Sequence, residues 1–166
     1  MKPFHAARGG DVVARLDPAE AGIVGLLLDQ LEQLLEADPD DSGGDPVLAR
    51  LLPPGHTGDP EIAADYRDLT EEGLRSGKAD DLATVRATLP LGGGEVRLDR
   101  DQAGAWLRTT NDVRLALGVR LDITEDTEPP EEITGEDDQQ LAVYYWLTAV
   151  QGSLVDALVD GRAARR

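Results

Sequence analysis

The stretch QQLAVYYWLTAVQGSLV, Gln139 to Val155, decides how the rest of the chain is read. It holds no charged side chain, in a sequence that is 30% charged. Asp137 and Asp138 precede it and Arg162, Arg165 and Arg166 follow it, an order of charges that suits a helix dipole. Val143, Leu147, Val150, Leu154 and Leu158 recur at steps of three and four and make one dense apolar stripe. Leu141, Tyr145, Val155 and Val159 keep the far side largely apolar as well. A helix apolar on most sides is expected to be buried, with other helices packed round it. The pattern predicts that helix over 139–159.

The helices expected to pack against it lie upstream in the chain. Asp99, with Gln102 three positions on, opens a helix running to about Leu121, along which Ala103, Trp106, Thr110, Val113, Leu117 and Leu121 share a stripe. Asp17-Pro18-Ala19-Glu20 opens another to about Ala37, with Ile23, Val24, Leu27, Leu28, Leu31, Leu34 and Leu35 on its broad apolar face. Asp45-Pro46 and Asp59-Pro60 repeat the start signal. The first predicts a short helix ending before Pro53-Pro54, and the second a longer one ending near Gly77, followed by a short helix with Leu82, Val85 and Leu89. Phe4 to Arg8 and Asp11 to Leu16 flank Gly9-Gly10 as a two-residue hairpin does, and Glu95 to Leu98 is the candidate third strand. Asp122 to Asp138 holds nine acids, no base and Pro129-Pro130, and reads as an acidic, flexible loop. The expected architecture is mainly α (α+β), one domain over 1–166: a helical bundle around a buried C-terminal helix, with a small antiparallel sheet.

Composition narrows the function classes. The chain has 166 residues and no cysteine, which removes disulfides, thiolate catalysis and cysteine-ligated zinc. A formal charge of −17 repels nucleic-acid phosphates and favours a basic protein partner. Gln139, Gln140, Thr148, Gln151, Gly152 and Ser153 make the uncharged run unsuited to a membrane span. Without the apolar core of a secretion signal at the N-terminus, the expected location is cytoplasmic.

The segments that resemble catalytic or ligand motifs have structural explanations. Asp38, Asp40, Ser42 and Gly43 resemble the start of a calcium loop, but its twelfth position falls on Ala49 and Pro46 starts a helix inside it, so a polar turn is expected. Gly73 to Lys78 is one residue short of a phosphate-binding loop, and Ala79 has no hydroxyl for a metal. His5 and His56 are isolated, with no Gly-x-Ser-x-Gly elbow or His-Glu-x-x-His motif beside them. No catalytic residue, cofactor or metal is expected. The polar group that stands out is Asn111, Asp112 and Arg114 beside Trp106, on a helix that otherwise builds core. Such a set either satisfies neighbouring helices or receives a partner's carboxylate or backbone.

Trp106-Leu107, Asn111 to Leu115 and Leu117 to Leu121 resemble the central signature of an actinobacterial family of unknown function, number 2017 among such families. Tyr145-Trp146-Leu147-Thr148 with Gln151, Leu154 and Leu158 is similar to its second signature, and Tyr66-Arg67, Leu69-Thr70, Leu74-Arg75 and Lys78 to its middle helix. Phe4, Val12 to Leu16 and Asp17-Pro18 match its hairpin and first helix. The resemblance implies a small cytoplasmic protein, commonly encoded beside the ClpS adaptor of the Clp protease. It also implies stress or transcriptional control, through cysteines and a sigma-factor partner. This chain has no cysteine to carry the thiol part, whereas partner binding requires none. The expected function is a non-enzymatic regulator acting by protein binding, through Arg67, Trp106, Asn111, Asp112, Arg114 and Gln151. The alternative is a small-ligand binder or enzyme with a pocket among Arg67, Asn111, Arg114 and Gln151. Direct DNA binding through Arg97, Arg100 and Arg108 is disfavoured by charge. The C-terminal helix carries more apolar surface than a three-helix core needs, which points to a homodimer.

Overall fold

A computed structural model describes residues 2–36, 46–51 and 60–164, with the backbone alone described at 48–49, 60–71 and 163–164. The elements are β1 (Lys2–Ala6), β2 (Val12–Leu16), α1 (Pro18–Glu36), α2 (Pro46–Leu51), α3 (Pro60–Thr88), β3 (Gly94–Leu98), α4 (Arg100–Arg120) and α5 (Glu136–Ala164). This is a mainly helical α+β fold with one three-stranded antiparallel sheet, β2 in its centre. The calcium-like turn at 38–49 lies largely, and Pro53, Pro54 and His56 wholly, outside the described residues.

Capping chemistry sets the helix starts. The Asp17 carboxylate accepts from the Glu20 amide at 2.8 Å while the Glu20 carboxylate accepts from the Asp17 amide at 2.9 Å. Asp99 and Gln102 form the same reciprocal pair at 2.8 and 2.9 Å. The hairpin turn is longer than Gly9-Gly10 alone predicts. A 3₁₀ turn over Arg8–Gly10 is closed by the Ala7 amide on the Asp11 carbonyl at 2.7 Å, with both glycines at positive φ. Pairing of Val12 with Leu98 and Ala14 with Val96 places apolar side chains of both strands in the core. Gly93, at φ +82, lets the β3 entrance pass beside α1: a Cβ there would stand 2.7 Å from the Pro18 nitrogen.

Two helices differ from expectation. α3 runs unbroken through Gly73 and Gly77, without the predicted stop and restart. Glycine costs a helix about 1 kcal/mol relative to alanine. Two ties between them hold this stretch in place: Arg75 donates to the Leu35 carbonyl at the end of α1, and Lys78 pairs with Asp112 on α4. α5 is longer than 139–159, because Glu136, Asp137 and Asp138 form its first turn instead of preceding it. It also buries one stripe only. Leu147, Val150, Leu154 and Ala157 are in the core, but Val155 is 43% and Val159 60% exposed. The element enclosed on most sides is α4, which packs on α2, α3 and α5 and sends Trp106, Val113 and Leu117 into the shared core.

Candidate functional site

Each of the polar side chains singled out above is placed by α4 or by the element facing it. Trp106 is buried, its ring edge-on to Phe4 at 5.6 Å, and its indole N–H donates to the Thr88 hydroxyl at 2.7 Å. Asp112 points at α3: both its carboxylate oxygens lie 2.8 Å from Lys78 Nζ. Burial pushes the Asp112 carboxyl above its ordinary value, with the Lys78 ammonium acting against that rise. Trp106 and Asp112 thus join α4 to the sheet and to α3.

Asn111, Arg114 and Gln151 come together on the α4–α5 side. Gln151 Nε2 donates to Asn111 Oδ1 at 3.3 Å. The Arg114 guanidinium lies over the Tyr144 ring, 5.6 Å from its centroid, and donates to the Tyr144 hydroxyl at 3.3 Å. Its Nε is buried with no hydrogen-bond partner. Some of the other cations hold carboxylates: Arg86 pairs with Asp29 and Glu32, Arg108 with Asp81, and Arg97 with Asp11 and Glu95, whereas Arg15, Arg100 and Arg120 form no ion pair among the described residues. Arg114 has no ion pair among the described residues, in a chain with 33 acidic residues. A cation over an aromatic face is stabilised by about 0.5 to 2 kcal/mol, less than a buried guanidinium loses in hydration. The planar fork therefore retains donors suited to a carboxylate or a carbonyl. The side chain of Arg67 lies outside the described residues.

Sequence reasoning missed Tyr144 and Lys78. Asn111, Arg114 and Gly118 lie at i, i+3 and i+7 on α4, and Tyr144 and Gln151 at i and i+7 on α5. That match of spacings would have paired the faces once the two helices were taken as neighbours.

Three cavities among the described residues lie elsewhere. One of about 30 Å³, bordered by Phe4, Val24, Trp106, Thr110 and Trp146, has room for a water molecule and is nearly all apolar. An open groove of about 460 Å³ runs between α1 and α3 past Glu32, Leu35, Arg75 and Arg86. Another, of about 450 Å³, lies by Arg15, Asp17, Glu20 and Gly93. Asn111, Arg114 and Gln151 line none of these three. Among the described residues no group of three His, Asp or Glu side chains is placed to hold a metal, and no helix is long and apolar enough to cross a membrane.

A mainly helical α+β domain with this order of elements defines the class, and the match of its sequence defines the family. The chain belongs to the DUF2017 family, a domain of unknown function, whose model matches residues 1–158. Its relatives include a Mycobacterium leprae protein provisionally named oxidative stress regulator AosR, 33% identical, with 94% of this chain and 82% of the relative covered. The oxidative stress regulators AosR of Mycobacterium tuberculosis and Mycobacterium bovis are 34% identical across 72% of this chain, a match spanning 61% of their own length. No solved structure matches.

Proposed function

We propose that this protein is a non-enzymatic regulator of the oxidative stress response that works by binding another protein through the Asn111, Arg114 and Gln151 face. The single observation that carries the reading is Arg114. It is a half-buried cation with an unpartnered, enclosed Nε, held over Tyr144 and without a carboxylate among the described residues, in a chain of net charge −17. A partner's carboxylate or backbone carbonyl would pair with the outer N–H groups of the fork, the Nε itself being enclosed. The names of the mycobacterial relatives support a regulatory role, and the matching family model supports the shared fold. The acidic surface selects a partner that is basic overall, so association weakens as salt is added. With no cysteine, redox input reaches this chain from the partner or from protein abundance, and not from its own thiols.

The experiment is affinity capture from a related actinobacterial lysate at low salt, with native and Arg114→Glu protein immobilised in parallel. The expected result is a small set of proteins retained by the native form, lost from the variant and eluted by salt. Identical sets on both, with the variant folded by circular dichroism, refute the reading.

A further inference from the structure

The uncovered side of α5 repeats with a regularity that its buried side does not need. Leu141, Tyr145, Thr148, Gly152, Val155 and Val159 fall at alternating steps of four and three, the spacing of the contact positions in a two-helix seam. Thr148, Gly152, Val155 and Val159 are exposed, the last two being large apolar side chains at 43% and 60%. Leu141 and Tyr145 are half-buried, Tyr145 being held on one side by its hydroxyl on the Thr127 carbonyl at 2.8 Å. The same spacing continues to Asp138 at one end and Arg162 at the other.

We infer that this face is a self-association surface, on which α5 of a second copy lies antiparallel about a twofold axis level with Val150. In that register Leu141 faces Val159 of the second copy, Tyr145 faces Val155, and Thr148 faces Gly152. Each large side chain meets a smaller one, and the least bulky layer is central, where the helices approach closest. The ends supply the direction: Asp138 meets Arg162 of the second copy, so the acidic start of each helix lies beside the basic finish of the other. A parallel pairing would instead set Asp138 against Asp138 and Arg162 against Arg162. The flanking positions agree, since Ala142, Ala149 and Asp156 share one flank and Tyr144, Gln151 and Leu158 the other, so no like charges meet across either flank. A closed twofold contact of this kind is isologous: the same patch serves both copies. The inference does not rest on the partner-binding reading, which stands or falls on Arg114→Glu.

The chain has no native cysteine, so cross-linking reports on the register directly. Thr148→Cys and Gly152→Cys proteins are prepared separately, then oxidised alone and as an equimolar mixture. The expected result is a disulfide dimer in the mixture, several-fold above either variant alone. In parallel, light scattering on the full native chain gives twice 17.8 kDa at high micromolar concentration, and Val155→Glu gives 17.8 kDa with an unchanged melting temperature. A native chain of 17.8 kDa at every concentration overturns the proposal, as does cross-linking no stronger in the mixture than in each variant alone.

Discussion

Replacing Lys78 with methionine keeps most of its volume and removes the cation that faces Asp112 among the described residues. The carboxylate it leaves behind is only 9% exposed, and both its oxygens had been 2.8 Å from the ammonium. Breaking a buried pair from one side costs about 3 to 5 kcal/mol. A second limit comes from protonation: an aspartate of ordinary value 3.8 can always take up a proton, which at pH 7 costs about 4 kcal/mol at roughly 1.4 kcal/mol per unit. The lysine side chain is itself 18% exposed, so water shares the load and the expected loss is near 3 kcal/mol. Burial already holds the Asp112 carboxyl above 3.8, so the folded state binds this proton more readily than the unfolded state. Its contribution to stability is therefore greatest below 3.8 and falls as pH rises through the folded value. Removing Lys78 widens that window upward. The assay is urea unfolding of native, Lys78→Met and Lys78→Met/Asp112→Leu proteins, followed by circular dichroism at pH 7 and pH 5. The single variant should lose about 3 kcal/mol at pH 7 and clearly less at pH 5, and the double variant should recover most of the loss. A single variant within about 0.5 kcal/mol of native, or a loss independent of pH, would refute the claim that the pair is desolvated.

Other substitutions probe other parts of the fold. Leu154 is fully buried, and Leu154→Ala should cost about 2 to 5 kcal/mol in thermal or urea unfolding through the cavity it leaves. Gly93→Ala combines a positive φ with a Cβ 2.7 Å from the Pro18 nitrogen, and should cost at least about 1 to 3 kcal/mol by the same measurement. Asp17→Ala removes the α1 cap and should cost about 1 kcal/mol. Trp106→Phe loses the bond to Thr88 and should cost about 0.5 to 1.5 kcal/mol plus the lost packing on Phe4, read from the urea midpoint.

What the sequence discloses depends on the distance over which each feature is decided. The starts of α1 and α4 are legible because Asp17 needs only Glu20 and Asp99 only Gln102, three residues away. The third strand is legible from alternation and the glycines before it. The continuity of α3 is not, because Gly77 resembles a stop signal. What carries the helix through is a grip on Leu35 and Asp112, 40 residues from Arg75 and 34 from Lys78. Apolar periodicity identifies the buried stripe of α5, but which of two apolar sides is covered depends on where the sheet and α4 stand. The candidate site shows the same division. Asn111 and Arg114 declare themselves as polar residues on a core helix, while Tyr144, 30 residues further on, becomes their neighbour only once α4 and α5 are side by side.

The hydrogen bond from the Phe4 amide to the Ser153 hydroxyl joins residues 149 positions apart. β1 rests against α5, the last of the described elements to be synthesised, so an edge of the sheet stays open until α5 has left the ribosome. Covering of the first strand is thus timed by translation of α5. A ribosome stalled within α5 should hold a nascent chain whose first strand is still accessible to chaperones and proteases.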